Sequence, residues 1–519
     1  MKSAEYPPEV TEYETYKQIM AAKKPRGGTQ SDLPRLITKE FAAELALPVS
    51  RIINSILSTG EWPHQWKLEQ VIPIPKIPLP MNEDDLRPIS LTPFFSKVCE
   101  HFVVRWLLQY IGHKIDFRQY GGQKGNSINH YLIELVNFIL SCQDSSEQTA
   151  VLACMVDFKK AFNRQNHLII ITKLSDLGVP GWLLKSVIAF LTDRRMVVKF
   201  GDGLSKEKLL PGGGPQGTVL ALLLFLVLIN DLGFKDQRNN LGDVSTSTLR
   251  PCESREIHLK FVDDFSFAES INIGKLLSED QNHVMPSNNS KVVQLLNSTK
   301  EYADLHMMKL NYAKTDLLVF NPCRTIDLQP DIEIEGHKLE VVEEKKILGI
   351  ILRSDLKWSS NTKNMVQKGY KRLWIIRRLQ NLGADEGVLV DIFKKQVRSI
   401  LEFGAPVWHS GLTAKESEDI ERVQKSFCHI LLGSQYNSYK FALYKLNLNS
   451  LVQRRKKLCL RFALKAEKHE KFKHWFKPTV KTRCTRLKQP KYVPVVANHA
   501  RMENSPLCYL TKLLNDHYS

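Results

Sequence analysis

The sequence predicts an α+β fold followed by a separate, all-helical C-terminal part. Three observations carry that expectation. Helical and strand-like apolar periodicities alternate through roughly the first two thirds of the chain. From about Trp358 onward only the helical period continues. With 519 residues the chain is also too long for one hydrophobic core, and about two to four domains are expected.

Taken in order, LPRLITKEFAAELALPVSRIINSIL carries apolar residues at helical spacing, so the N-terminal part reads as helices. EQVIPIPKIPLP reads as a strand whose prolines confine it to sheet edges and turns. RPISL follows, then a helix from about Pro93 in FFSKVCEHFVVRWLLQYI. The Gly-rich turn QYGGQKGNS leads into an amphipathic helix, HYLIELVNFILSC. AVLACMVDF is a short buried strand with Asp157 near its end, GVPGWLLKSVIAFL a helix and turn, and MVVKFGD a strand. PGGGPQGT, residues 211 to 218, opens the apolar run VLALLLFLVLI. A polar loop is expected from about 237 to 255, followed by the strand-like IHLKFVDDFSF. A helix around Val292 to Leu305, the strand TDLLVF and two further short strands, IEIEGHKLEVV and KILGIIL, complete the mixed part.

The net charge of +18 points to a polyanionic partner, nucleic acid or an anionic surface. The excess is concentrated late: residues 451 to 490 hold 14 Lys or Arg against Glu467 and Glu470. Nine widely spaced cysteines without a CxxC suit a reduced, intracellular protein, in nucleus or cytoplasm and not secreted. MKSAEYPPEV has no apolar h-region of a signal peptide. Val219 to Ile229 is too short to span a bilayer and suits a buried helix, so no membrane is implied. His469, His474, Cys484, His499, Cys508 and His517 match no zinc-ligand spacing.

Asp263 and Asp264 are the anomaly. Like charges are disfavoured inside a strand, and an unpartnered carboxylate is costly to bury. A lone DD reads as a solvated turn. Here aromatics bracket it at Phe261, Phe265 and Phe267, and a second apolar strand ends on Asp157. Neighbouring strands would gather three carboxylates, whose repulsion cations relieve. Mg²⁺ takes oxygen ligands, commonly one or two carboxylates plus substrate phosphates. Two such ions, roughly 4 Å apart, activate an attacking oxygen and stabilise a leaving one, as phosphoryl transfer needs. The glycines of PGGGPQGT let backbone approach a ligand, although an ordinary turn explains them equally. Gln216 can hydrogen-bond a sugar or base. Lys76 in PIPK and Arg87 in LRPISL can stabilise charge on a triphosphate.

Together these segments resemble the reverse transcriptases of non-LTR (LINE-type) retrotransposons over roughly residues 20 to 440. The motifs fall in the family's order: WPHQWKLEQVIPIPK, LRPISLTPFFSKVCE, QYGGQKGNS, VDFKKAFNRQNH, GGGPQGTVLALLLFLVLINDL, FVDDFSF, LNYAKTDLLVF and ILGIILRSDLKW, with LEFGAPVWHSGL and IERVQKSFCHILLG beyond. The resemblance implies a right-hand polymerase with fingers, a ferredoxin-like palm with an antiparallel sheet, and an all-α thumb. Residues 1–150 would hold an N-terminal extension, the fingers and the start of the palm, and 151–357 the palm with its catalytic motifs. The thumb would occupy 358–440, gripping duplex backbone, and a basic helical region 441–519. Asp157, Asp263 and Asp264 would be catalytic and hold two Mg²⁺, or Mn²⁺. Phe162 would gate against a ribose 2′-hydroxyl, Gln216 and Gly217 would shape the nucleotide pocket, and Lys76 and Arg87 would hold the triphosphate. Lys314 would protonate departing pyrophosphate. The partners implied are an RNA template, a DNA primer and dNTPs, and no protein partner is inferable.

The chain departs from the family pattern at Asn163 (usually Asp), Val262 (usually Ala), Thr218 (usually Ser), Gly214 (usually Val) and Ala221-Leu222 (usually Gly-Pro). An apurinic-type endonuclease domain precedes the polymerase in full-length family members; the fingers motifs begin within the first 70 residues, leaving no room for it. The reading is an RNA-directed DNA polymerase. The alternative is a catalytically inactive, nucleic-acid-binding remnant or domesticated derivative. A viral RNA-dependent RNA polymerase shares the metal chemistry, but Val262 and Phe162 argue against it.

Overall fold

The computed structural model describes residues 6–22, 29, 32–145, 149–210, 212–233, 255–273, 290–323, 328, 330–479 and 490–519. Most of the expected 237–255 loop lies outside them. Among the described residues the chain is mixed helix and sheet up to Arg353 and helical from Ser359 onward, save an isolated bridge between Pro478 and Tyr492. It separates into two compact units, each assembled from three stretches of sequence: 1–122, 158–237 and 297–311 in the first, 123–157, 238–296 and 312–519 in the second.

In the first unit, strand Leu68–Pro75 pairs antiparallel with Leu86–Leu91 and parallel with Arg195–Phe200. This corrects the edge placement expected from its prolines. The strand is central, but only over its first half: the parallel partner covers Leu68 to Val71, while Pro73 and Pro75 lie beyond it. Proline lacks the N–H that a second neighbour would need, so the strand is central where it has none. Helix Phe94–Ile111 packs with Val219–Leu228, whose side chains are buried except at Val219 and Leu222. An all-apolar helix is stable only when covered on nearly every side. Among the described residues no helix is long and apolar enough to cross a membrane.

In the second unit, Thr149–Val156 is the middle of a five-stranded sheet. Its order runs Glu340–Val341, Asp316–Phe320, Thr149–Val156, Asp264–Asn272, Glu256–Phe261. All eight residues of the middle strand are buried, as its unbroken apolar run requires. It runs antiparallel to both neighbours. IEIEGHKLEVV and KILGIIL, read as single strands, are each divided: Glu333–Ile334 turns back on His337–Lys338, and Glu344–Ile347 on Ile350–Arg353. Gly336 at φ +75° and Gly349 at φ +93° make those turns. Helix Ile128–Gln143 packs on the sheet, and helices Ser359–Asn381, Ala414–Leu432, Leu451–Glu467 and Pro506–Tyr518 follow.

Candidate active site

The two aspartate motifs meet through strand register. The middle strand pairs Val156 with Phe265, and the same register carried one residue further sets Asp157 opposite Asp264. Paired residues of an antiparallel ladder put their side chains on the same face, about 5 Å apart at Cα. Asp263 sits in the two-residue turn between Phe261 and Asp264, which are themselves paired. The FVDDFSF stretch is therefore a hairpin with its charges at the tip, where Asp263 is half-buried and Asp264 exposed, while Phe265 and Phe267 fill the core behind. The other turn residue, Val262, has φ +58°. A two-residue hairpin requires positive φ at its first position, which Gly or Asn meets easily and a β-branched residue does not.

On its other side the middle strand pairs Met155 with Asp316, where that ladder ends; Lys314 lies in the short turn just before this neighbouring strand, and beyond Asp157 the chain bridges Phe158 to Leu310. The Asp157 N–H donates to Thr315 Oγ1 at 3.4 Å, tying the strand end to this neighbour. Lys314 is exposed at the end of a short 3₁₀ turn, and its carbonyl accepts from Lys345 Nζ at 2.9 Å. Lys345 also pairs with Asp316, which holds the neighbouring strand to the following hairpin.

Beneath the tip, Tyr131 from helix Ile128–Gln143 is fully buried and donates its hydroxyl to Ser266 Oγ. Ser266 in turn reaches Met155 Sδ at 2.9 Å, linking the two aspartate strands through side chains. Tyr131 also meets Phe261 edge to face at 6.2 Å between ring centroids. Burial, with the Asp264 charge adding to it, pushes the tyrosine hydroxyl well above its ordinary pKa, so it stays a donor. Further along, Glu269 accepts from the backbone N–H groups of Lys291 and Val292 at 3.0 and 3.3 Å, capping the helix that begins there. The sequence motifs do not single out Tyr131, Ser266 or Thr315. Tyr131 stands in an apolar run and Ser266 between two phenylalanines, so pattern alone makes them core and strand filler.

The remaining candidates lie in the first unit. Lys76 donates Nζ to the Asp84 carbonyl at 2.8 Å, while its N–H bonds the Asp85 carbonyl at 2.7 Å. Arg87 is exposed on the strand paired with Leu68–Pro75, opposite Ile74, and Lys76 follows the end of that partner strand. The glycine loop is fixed to this sheet: the Gln216 carbonyl accepts from the Ser90 N–H at 2.9 Å. Gly217, at φ +125°, lies so close that a Cβ would stand 3.3 Å from the Ser90 carbonyl oxygen. Phe162 stacks on Phe225 with centroids 4.9 Å apart, and its carbonyl accepts from the Gly214 N–H at 3.0 Å. Gly213 has φ +82°, and a Cβ there would come within 2.9 Å of the Asn163 carbonyl oxygen. The glycines are thus required by backbone crowding against residues 162–165 and Ser90. At Gly214 the space of a side chain is taken by Gln165 Oε1, 2.5 Å from where a Cβ would stand.

Lys76, Arg87, Phe162, Gln216 and Gly217 therefore belong to one unit, and Asp157, Asp263, Asp264 and Lys314 to the other. Among the described residues no three His, Cys, Asp or Glu side chains are gathered closely enough to hold an ion between them. The donor set still fits Mg²⁺, which needs only one or two carboxylates and completes its shell with phosphate and water. The register supplies such a pair in Asp157 and Asp264, at an accessible strand end.

An antiparallel sheet with aspartates at adjacent strand ends, one pair at a hairpin tip, is the arrangement expected above of a polymerase. The chain belongs to the reverse transcriptase (RNA-dependent DNA polymerase) family, whose model matches residues 74–352, more than half of the 519. It is similar to the probable RNA-directed DNA polymerase from transposon BS of Drosophila melanogaster, at 25% identity over 445 residues, 82% of this chain and 45% of that protein. It is also similar to the RNA-directed DNA polymerase from the mobile element jockey of Drosophila melanogaster, at 25% identity over 388 residues, 73% of this chain and 39% of that one. The chain spans less than half the length of these relatives. Among solved structures, apo telomerase from Candida tropicalis matches 79% of this chain and 66% of its own at 13% identity and a TM-score of 0.38.

Proposed function

We propose that this chain is the polymerase portion of a non-LTR retrotransposon reverse transcriptase and adds dNTPs to a DNA primer on an RNA template. The observation that carries the reading is the register that sets Asp157 opposite Asp264 at the tip of the Asp263-Asp264 hairpin. In this reading the mixed helix and sheet comprise fingers and a ferredoxin-like palm, and the helices from Ser359 the thumb.

Asp157, Asp263 and Asp264 would hold divalent ions, Mg²⁺ or Mn²⁺, which when bound lower the barrier to attack by a hydroxyl and neutralise charge on the leaving phosphates. The primer 3′-oxygen forms a bond to the α-phosphorus and loses its proton to water, while the bond from that phosphorus to the bridging oxygen breaks and pyrophosphate departs. Lys314, an exposed ammonium next in sequence to Thr315, whose hydroxyl accepts from the Asp157 N–H, is assigned to supply a proton to pyrophosphate. Lys76 and Arg87 are assigned to the triphosphate, where fixed cations stabilise the charge that moves on transfer. Phe162, braced by its stack on Phe225, is assigned to exclude a 2′-hydroxyl. Gln216 and Gly217 border the nucleotide base and sugar.

Primer extension on an RNA template with dNTPs tests the proposal. The wild type is expected to extend, and Asp263→Asn to lose at least about a thousandfold in rate, the scale on which enzymatic charge stabilisation operates, while binding template-primer as before. Wild-type protein that binds template-primer and never extends it would leave the nucleic-acid-binding remnant as the reading.

A further inference from the structure

The helix Ser359–Asn381 presents an exposed face that joins aromatic rings with cations. Its buried side, with Met365, Gly369, Leu373 and Ile376, packs on Ala414–Leu432, where Gly369 lies so close that a Cβ would sit 3.0 Å from Val423 Cγ1. At 3.6 residues per turn the opposite side carries Lys363, Tyr370, Lys371, Trp374, Arg377 and Arg378, all exposed. Trp374 is 61% exposed and Tyr370 42%. The Arg378 guanidinium lies over the Trp374 ring, 5.5 Å from its centroid. The helix contains no Asp or Glu, and among the described residues none of the four cations on this face pairs with a carboxylate.

We infer that this face binds single-stranded nucleic acid, with Trp374 stacking on an unpaired base while Lys363, Lys371, Arg377 and Arg378 meet the flanking phosphates. A large indole left in water amid unneutralised cations calls for a ligand that is both flat and polyanionic. Base–aromatic stacking within a basic track has that chemistry, and it is indifferent to base identity. A duplex does not satisfy it, because its base faces are already stacked on one another, so the ring has nothing to cover. The Arg378 guanidinium lies over the ring, 5.5 Å from its centroid, and most of the indole surface is left exposed for a base. The inference rests on the nucleic-acid reading above. It goes beyond a sequence-independent grip on duplex backbone by assigning an unpaired segment of the strand to a particular ring.

The test is binding of the full chain, without dNTPs or divalent ions, to three labelled probes: an unpaired oligonucleotide, the same strand with abasic sites throughout, and a duplex. Because no turnover is involved, a failure here is distinguishable from a failure of the polymerase reading. Trp374→Ala should weaken the unpaired probe about ten- to a hundredfold, the span of one stacked base. It should leave the abasic strand and the duplex unchanged, and Trp374→Phe should retain most of the affinity. Replacing Lys371 and Arg377 with Gln should weaken all three probes and flatten their salt dependence. Equal losses on the abasic strand, a loss confined to the duplex, or no loss with Trp374→Ala would each overturn the inference. So would Trp374-dependent binding to phosphatidylserine vesicles with oligonucleotide affinity untouched.

Discussion

Val262 shows how much chemistry a single backbone angle can hold. Its neighbours Asp263 and Asp264 are legible in the sequence as charges that do not suit a strand. The strain beside them is not, because nothing in Phe-Val-Asp-Asp marks a turn: the residues that take positive φ easily, Gly and Asn, are missing. Only the register shows that Val262 must occupy the first loop position, at φ +58°. A left-handed L-residue costs about 1–2 kcal/mol, and glycine forfeits roughly 0.5–1 kcal/mol of backbone entropy instead. Val262→Gly is therefore expected to be neutral or to stabilise by up to about 1 kcal/mol, read as a shift in the urea midpoint at constant slope. A clear loss of stability would mean that the valine side chain holds the hairpin in place, and that its departure from the family's usual Ala is structural. The glycine loop carries the same lesson in reverse. PGGGPQGT announces its flexibility, while the crowding by Asn163, Gln165 and Ser90 that demands it comes from residues distant in the chain.

At the scale of elements, strand identity was largely readable and neighbour identity was not. The unbroken apolar run of Thr149–Val156 predicts a buried strand, and Asp157 at its end could be seen as a candidate ligand. The proline-bearing strand was misplaced because proline constrains only the stretch it occupies, and Leu68 to Val71 remained free to take a second partner. Helix Ile128–Gln143 reads as amphipathic, yet His130 through Ile133 are all buried. Its outer side is covered by the C-terminal region: Phe472 stacks on His130 at 3.9 Å, and Trp475 donates Nε1 to Glu134 at 2.6 Å across 341 residues of sequence. A contact that distant leaves no trace in local periodicity. Covered on both sides, this helix is a rigid platform for the Tyr131–Ser266 hydrogen bond under the aspartate hairpin. Tyr131→Phe removes the hydroxyl and leaves the ring, at a stability cost of about 1–2 kcal/mol for a buried hydrogen bond. If the bond positions the hairpin, extension should fall several-fold with template-primer affinity unchanged, and the Mg²⁺ concentration for half-maximal rate should rise. Ser266→Ala should add little to that loss, since the two residues form one link. An unchanged metal requirement would make the pair a plain core contact.

At the scale of the molecule, two compact units are each woven from three separated stretches of sequence, a division that no local composition signals. What was legible at this scale was charge and motif order, because both survive without knowing which segments touch. The buried charge inside the first unit was not. Glu100, within FFSKVCEHFV, is 1% exposed, and its Oε2 accepts from the Leu220 N–H at 3.3 Å. Burial pushes its carboxyl from an ordinary 4.5 up to about 7, against the pull of Arg194. The sign follows from proton binding. Between pH 4.5 and 7 the folded state keeps a proton that the unfolded chain has released, so stability falls as pH rises through that window and levels off above it. The difference corresponds to something on the order of 3 kcal/mol. Glu100→Gln keeps the acceptor for Leu220 and cannot ionise. It should leave the first unit close to wild-type stability at acid pH and make it more stable at pH well above 7. Protection of the Phe94–Ile111 amides in hydrogen exchange is the measurement, because it reports this helix rather than the whole chain. If the protection difference between variant and wild type does not change with pH, the Glu100 carboxyl titrates alike in the folded and unfolded chain, and Arg194 supplies the balance against burial.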